Sequence, residues 1–194
     1  MTTPSLTKGE QRQRDLVRAA AEILREEGPG AVSHRKVAAR ASASLSATTY
    51  YFTGLDDLLG QAASLNFNGW IERAARVAAE LENREPPTSM DDAVEIVLKS
   101  CLPSDAPLEN HYLQLTAAAE YPAVRKVYDD NRSALDDAIG TVLAWMGSRL
   151  SARLVLAVVD GAAVEALSEG RDIRETARAL VRELFVSMGE FAAD

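Results

Sequence analysis

Apolar residues recur every three or four positions along almost the whole chain, the period of an amphipathic α-helix, and no segment alternates with the period of two that marks a strand. Thr7 and Glu10 have capping-box spacing, so hydroxyl and carboxylate can satisfy each other's orphan backbone donors where a first helix begins. Leu16, Ala19, Ala20, Ile23 and Leu24 then set its apolar face until Gly28-Pro29-Gly30 stops it. Ser33 can cap a short second helix whose apolar residues are Val37, Ala38 and Ala41. A serine-rich turn over 42–46 follows, and either Ser44 or Ser46 can cap a third helix reaching Phe52, with Thr53-Gly54 as its exit. Three helices in about fifty residues, the last two joined by a tight turn, have the dimensions of a helix-turn-helix head.

Beyond Gly54 the predicted helices lengthen. The pattern predicts helices over 55–83 and from Ser89 to Cys101, separated by Glu85-Pro86-Pro87. Another starts at Pro107 and runs to Glu120, and a further one follows Tyr121-Pro122 to Met146. The final pair spans 149–169 and 173–191. The reading is therefore all-α, a three-helix head over 1–54 and a six-helix body over 55–194. In the eighth helix Leu154, Ala157, Val158, Ala162, Val164 and Leu167 occupy nearly the full circumference, and a helix apolar all round must be covered on both sides. It is either the centre of a monomer or half of a symmetric interface. Gly161 and the alanines would allow a second copy to approach closely, and Leu180, Leu184 and Met188 on the last helix would complete a four-helix dimer contact.

Composition supports the helical reading. Among 194 residues there are 33 alanines but only 11 glycines and 7 prolines, and alanine loses least on entering a helix. The single cysteine, Cys101, excludes an intramolecular disulfide and a multi-cysteine zinc site. The polar opening of the chain argues against a signal peptide, and no apolar run is long enough to span a bilayer, so a soluble cytoplasmic protein is expected. Net charge is −8, which taken whole argues against nucleic acid. The distribution reverses that inference: residues 1–54 carry eight basic and five acidic side chains, and the remainder carries 13 and 24. A weakly basic head on an acidic body lets one end approach phosphates while the rest avoids nonspecific contact.

The string Ala31-Val32-Ser33-His34-Arg35-Lys36-Val37-Ala38, followed by Leu45-Ser46-Ala47-Thr48-Thr49-Tyr50-Tyr51-Phe52-Thr53-Gly54-Leu55-Asp56-Asp57-Leu58-Leu59, resembles the head of TetR-family transcriptional regulators. The resemblance covers the chain in layout and is specific in sequence over about residues 10–60. It implies a homodimer that binds a palindromic operator in double-stranded DNA and is released by a small-molecule effector, acting more often as repressor than activator. By position it implies that Ser33 and His34 meet a phosphate at the positive end of the second helix, with Arg35 and Lys36 beside them. It places Ser46, Ala47 and Thr48 near base edges, and gives Thr49, Tyr50 and Tyr51 hydroxyls for phosphates. Successive helix positions turn by about a hundred degrees, so Phe52 and part of one tyrosine must pack the head's own core. Two positions depart from the family pattern. Ser42 stands where glycine is usual and must take a left-handed backbone or reshape the turn. Leu55 replaces a phosphate-contacting lysine, which implies a shallower salt dependence.

In the body the resemblance implies an effector pocket, for which Phe67, Trp70, Cys101, His111, Tyr112, Leu115, Tyr128 and Trp145 are the candidates, each also suited to core packing. His111 is the polar ring best placed to orient a ligand. An enzyme is disfavoured: two histidines and one cysteine prescribe neither a metal site nor a nucleophile pair, and no glycine-rich phosphate loop occurs. Glu120 and Asp160 could form an acid pair, but no supporting pattern surrounds them. No cofactor or membrane partner is expected. The alternative is a helical small-molecule-binding or scaffold protein whose head no longer binds DNA.

Overall fold

The capping residues read from the sequence do start the helices. In the computed structural model, which describes residues 7–103 and 107–190, α1 (Lys8–Glu27) opens with the Thr7–Glu10 capping box and ends at Gly28, whose φ of 83° favours glycine. A 3-10 turn (Pro29–Ala31) leads to α2 (His34–Arg40), where the Ser33 hydroxyl accepts the Lys36 amide at 3.3 Å. Ser44, rather than Ser46, caps α3 (Leu45–Tyr51) through the Ala47 amide. Then come α4 (Leu55–Leu81), α5 (Met90–Cys101), α6 (Leu108–Ala117), a 3-10 turn (Ala118–Glu120), α7 (Pro122–Trp145), α8 (Ala152–Glu169) and α9 (Ile173–Met188). Every regular element among the described residues is helical, so the fold is all-α as expected. The last helix was expected to reach Phe191, which lies outside the described residues.

Residues 41–44 join α2 to α3, a turn that starts one residue before and ends two residues before the 42–46 expected. Ser42 adopts φ 49°, the left-handed position, and the Ala43 amide reaches back to the Ala38 carbonyl at 2.9 Å. This closes α2 with the bond pattern glycine usually supports.

The chain forms two compact units. The first comprises Met1–Asn68 and Leu113–Asp130. Its core gathers Leu16, Ala20, Ile23 and Leu24 of α1 around Val37, Phe52, Leu58, Leu59 and Val124, all buried. A Cβ added at Gly30 would stand 2.9 Å from the Tyr121 hydroxyl, so the turn after α1 is closely approached by the junction of α6 and α7. The second unit comprises Gly69–Tyr112 and Asn131–Asp194. There α9 packs on α8 and α5. Val155, Val159, Ala162, Ala163 and Ala166 of α8 and Ala177, Val181 and Phe185 of α9 are all buried.

Candidate functional site

The head's outward face is set by what α3 turns inward. Phe52 is buried, and Thr48, one helical turn earlier, is 0% exposed, its hydroxyl donating to the Leu45 carbonyl at 2.7 Å. Thr48 therefore belongs to the core and not, as its position suggested, to a base-reading surface. Ala47 and Tyr51 are half-buried flanks of the same core. Leu45 (52% exposed), Ser46, Thr49 and Tyr50 (81% exposed) face outward. Leu45 was not among the sequence candidates. Four-residue spacing from Phe52 back to Thr48 was the available signal, because it puts Thr48 inward and leaves Leu45 and Thr49 together outside.

Charge on this face is sparser than the count of basic residues suggests. Lys36 pairs with Glu27, and Arg40 reaches Glu26 at 2.9 Å and Glu22 at 3.6 Å, so glutamates of α1 neutralise two of α2's cations. Arg35 is exposed and has no ion-pair partner among the described residues. Ser33 is exposed at the α2 N-terminus, and His34, the first residue of that helix, is half-buried with its Nδ1 lacking a hydrogen-bond partner. The Tyr51 hydroxyl lies near the start of α1, 3.6 Å from the place a Cβ would take at Gly9, while the Tyr50 and Tyr51 rings meet edge to face at 5.0 Å. Beyond α3, the Thr53 amide and hydroxyl both donate to Asp57. The Gln61 amide and then that Thr53 amide hold the Asp57 carboxyl below its ordinary pKa. Leu55 opens α4 with its side chain exposed and offers no charge.

The effector candidates fall into both units. In the first, the Phe67 and Tyr128 rings lie 5.1 Å apart, and Leu115 is half-buried on α6. Beside them runs a buried uncharged network that the sequence did not reveal. Asn66 donates to the Ala21 carbonyl and to Gln114 Oε1, both at 3.0 Å, and Gln114 donates to the Tyr128 hydroxyl at 2.5 Å. Burial raises the Tyr128 pKa, so the phenol stays neutral.

In the second unit Trp70, His111 and Tyr112 form a chain of edge-to-face rings at 4.5 and 4.9 Å, and the Tyr112 hydroxyl donates to Asp160 Oδ1 at 3.3 Å. Burial, reinforced by the nearby Arg73 charge, lowers the His111 pKa to about 4, so this ring is neutral near pH 7. Burial also raises Asp160 and pushes the Cys101 thiol up to about 12, which makes that thiol a poor nucleophile. Trp145 stands apart, packed against Val77, Leu81 and Val142 and lining a separate cavity of about 610 Å³ between the 84–88 loop, α5 and Arg174.

On α8, Leu154, Ala157, Gly161, Val164 and Leu167 are exposed and Val158 half-exposed. Ala162 is the exception among the expected interface residues: it lies in the chain's own core because its Cβ shares the inward face of Val155 and Val159. On α9, Leu180 and Leu184 are half-buried and Met188 is exposed. Among the described residues no helix is long and apolar enough to cross a membrane, and no cluster of three or more metal-ligating side chains occurs.

Residues 108–187 match the family model described as Tetracyclin repressor-like, C-terminal domain. Solved structures agree over nearly the whole chain. The multidrug binding protein EbrR complexed with ethidium is 28% identical and superposes with a TM-score of 0.65, covering 90% of this chain and 98% of that one. A member of the TetR family from Streptomyces coelicolor A3 is 27% identical, with a TM-score of 0.58 and coverage of 89% and 97%. This is the TetR-family architecture. Comparison with curated proteins gives no match. In the first unit of this fold α2 and α3 present the outward surface described above.

Proposed function

We propose that this TetR-like chain is a homodimeric, ligand-responsive transcriptional regulator, a repressor that binds a palindromic operator and leaves it when a small molecule binds the body. The head over 1–54 reads DNA and the body over 55–194 dimerises and binds the effector. The observation that carries the reading is the outward face of the head. Arg35 is left uncompensated on α2, and Leu45, Ser46, Thr49 and Tyr50 stand together on α3. Hydroxyls and one free guanidinium suit phosphate positioning, and a Leu side chain suits a thymine methyl. Lys36 reaches a phosphate only by leaving Glu27.

Two further features support the dimer and the effector. The exposed stripe Leu154, Ala157, Val158, Gly161 and Val164 repeats at helical spacing, and its small residues permit a second copy to pack closely. EbrR is a multidrug binding protein crystallised with ethidium and with proflavin, and at 28% identity it favours a small organic effector here too. Selection from a random duplex pool tests the reading. Enrichment of an inverted repeat is expected, with binding abolished by the pair Arg35→Ala and Tyr50→Ala in a protein that stays folded and dimeric. A folded dimer that enriches no sequence would refute it.

A further inference from the structure

The cavity of about 610 Å³ lies wholly within the second unit, and none of Trp70, His111 and Tyr112 lines it. A volume of that order admits a small organic molecule. Its wall includes Pro86 and Pro87, whose fixed φ leaves the 84–88 loop little freedom to collapse inward. On α5 the lining positions Asp92, Glu95, Ile96 and Lys99 are three or four residues apart and share one face, while Val94, Val97 and Leu98 turn into the core. The floor is apolar. Ile96 and Trp145 are half-buried against Val77, Leu81 and Val142, and Leu102 is buried. One part of the Trp145 ring is therefore committed to the core and the rest faces the cavity, where an aromatic guest can stack on it.

The lining carries three cations and three acids, and their pairing decides what charge is left for a guest. Lys99 is committed to Glu80 at 2.6 Å, and Glu95 accepts from Arg178 at 2.6 Å. Asp92 accepts from the Ser89 hydroxyl at 2.8 Å in the first turn of α5, where the helix end favours a negative charge. Arg84 and Arg174 remain, against Glu85, which is exposed beside Arg84 in the loop. Arg174 is the informative one. It is half-buried in the first turn of α9, it donates to the Pro103 carbonyl at 3.1 Å, and it has no ion-pair partner among the described residues. A neutral carbonyl satisfies one N–H of a guanidinium that has five. The planar fork matches a carboxylate, and partial removal from water strengthens that attraction.

We propose that this cavity binds an aromatic carboxylate, its acid group held by Arg174 and its ring laid on Trp145 and Ile96. The inference goes beyond the regulator reading and does not need the chain to bind DNA. It is tested by calorimetric titration of the full chain with three probes that share one ring system and differ in charge: 2-naphthoate, the neutral 2-naphthamide and the cationic 2-naphthylmethylammonium. Naphthoate is expected to bind at least tenfold more tightly than the other two. Arg174→Gln should lower naphthoate affinity at least tenfold and change naphthamide affinity less than twofold. Arg174→Lys keeps the charge but loses the fork, and should cost naphthoate at least threefold. Thr88→Phe fills the cavity from an exposed loop position and should weaken all three probes, so it decides the location if the Arg174 variants do not fold. Equal binding of the three probes, or no binding of naphthoate, would overturn the proposal. So would naphthoate affinity that survives Arg174→Gln and Thr88→Phe unchanged, which would put the anion elsewhere on the chain. A chain that enriches an inverted repeat but shows no preference for naphthoate loses this inference and keeps the regulator reading, whereas one that binds naphthoate through Arg174 and enriches no duplex does the reverse.

Discussion

Replacing Gln114 by leucine should destabilise the first unit even though it puts an apolar side chain of similar size into a buried place. Gln114 is 1% exposed and joins two partners, accepting from Asn66 and donating to Tyr128. After the change, one N–H of Asn66, itself 7% exposed, loses its acceptor, and stranding a buried donor costs about 1–3 kcal/mol. The Tyr128 oxygen loses a donor as well, a smaller penalty of about 1 kcal/mol. Burying the extra apolar surface of leucine returns roughly 1 kcal/mol. The net is a loss of about 2 kcal/mol, which for a chain of this length lowers Tm by about 4–8 °C. Calorimetry of the wild type, Gln114→Leu, Asn66→Leu and the double variant forms a cycle. Removing both partners leaves no stranded amide, so the double variant should be less destabilised than the sum of the singles by about 1 kcal/mol or more. Additive effects, or a Tm raised by Gln114→Leu, would refute the claim that the network is held by mutual satisfaction.

Three other outcomes are expected. Ser42→Gly should stabilise the head by up to about 1 kcal/mol, measured by denaturant midpoint, because glycine adopts φ 49° without the Cβ penalty while losing somewhat more chain entropy. Val158→Glu should convert a dimer to a monomer on light scattering, and an unchanged dimer would place the interface away from the α8 stripe. His111 has a folded pKa of about 4 against 6.5 in the unfolded chain, so its contribution is complete above pH 6.5 and is lost as pH falls toward 4. The loss is about 3 kcal/mol at most, and His111→Gln should flatten the acid limb of a stability profile recorded between pH 7 and 4.

Features that depend on neighbouring residues in sequence were legible there. Thr7 with Glu10, Ser33, Ser89, and the Gly28 stop each act within one helical turn, and each is found as read. Ser42 was singled out by the family resemblance, which puts glycine there and left either a left-handed backbone or a reshaped turn, and the chain takes the left-handed one. The orientation of α3 was less legible, because Thr48 and Thr49 have the same intrinsic chemistry and only their phase relative to Phe52 separates them. Ala162 was misplaced for the same reason: in a helix apolar all round, periodicity carries no phase, and the packing partner on α9 selects the inward face. The Asn66–Gln114–Tyr128 network was invisible because its members are up to 62 positions apart, and pairing among them depends on which helices become neighbours. Asp160 was noticed as an acid but not as the partner of Tyr112, since their pairing across two helices is a tertiary fact.

The two polar interiors differ in charge and in how pH acts on them. The Asn66–Gln114–Tyr128 network is uncharged, and the Asn66 and Gln114 amides both donate to acceptors within it, so it favours one arrangement of α1, α4, α6 and α7. The second polar interior contains an acid, Asp160, which accepts one long hydrogen bond from Tyr112 at 3.3 Å. Burial raises the Asp160 pKa, which means that ionising it costs the native state stability and that this cost grows as pH rises above the ordinary carboxylate value.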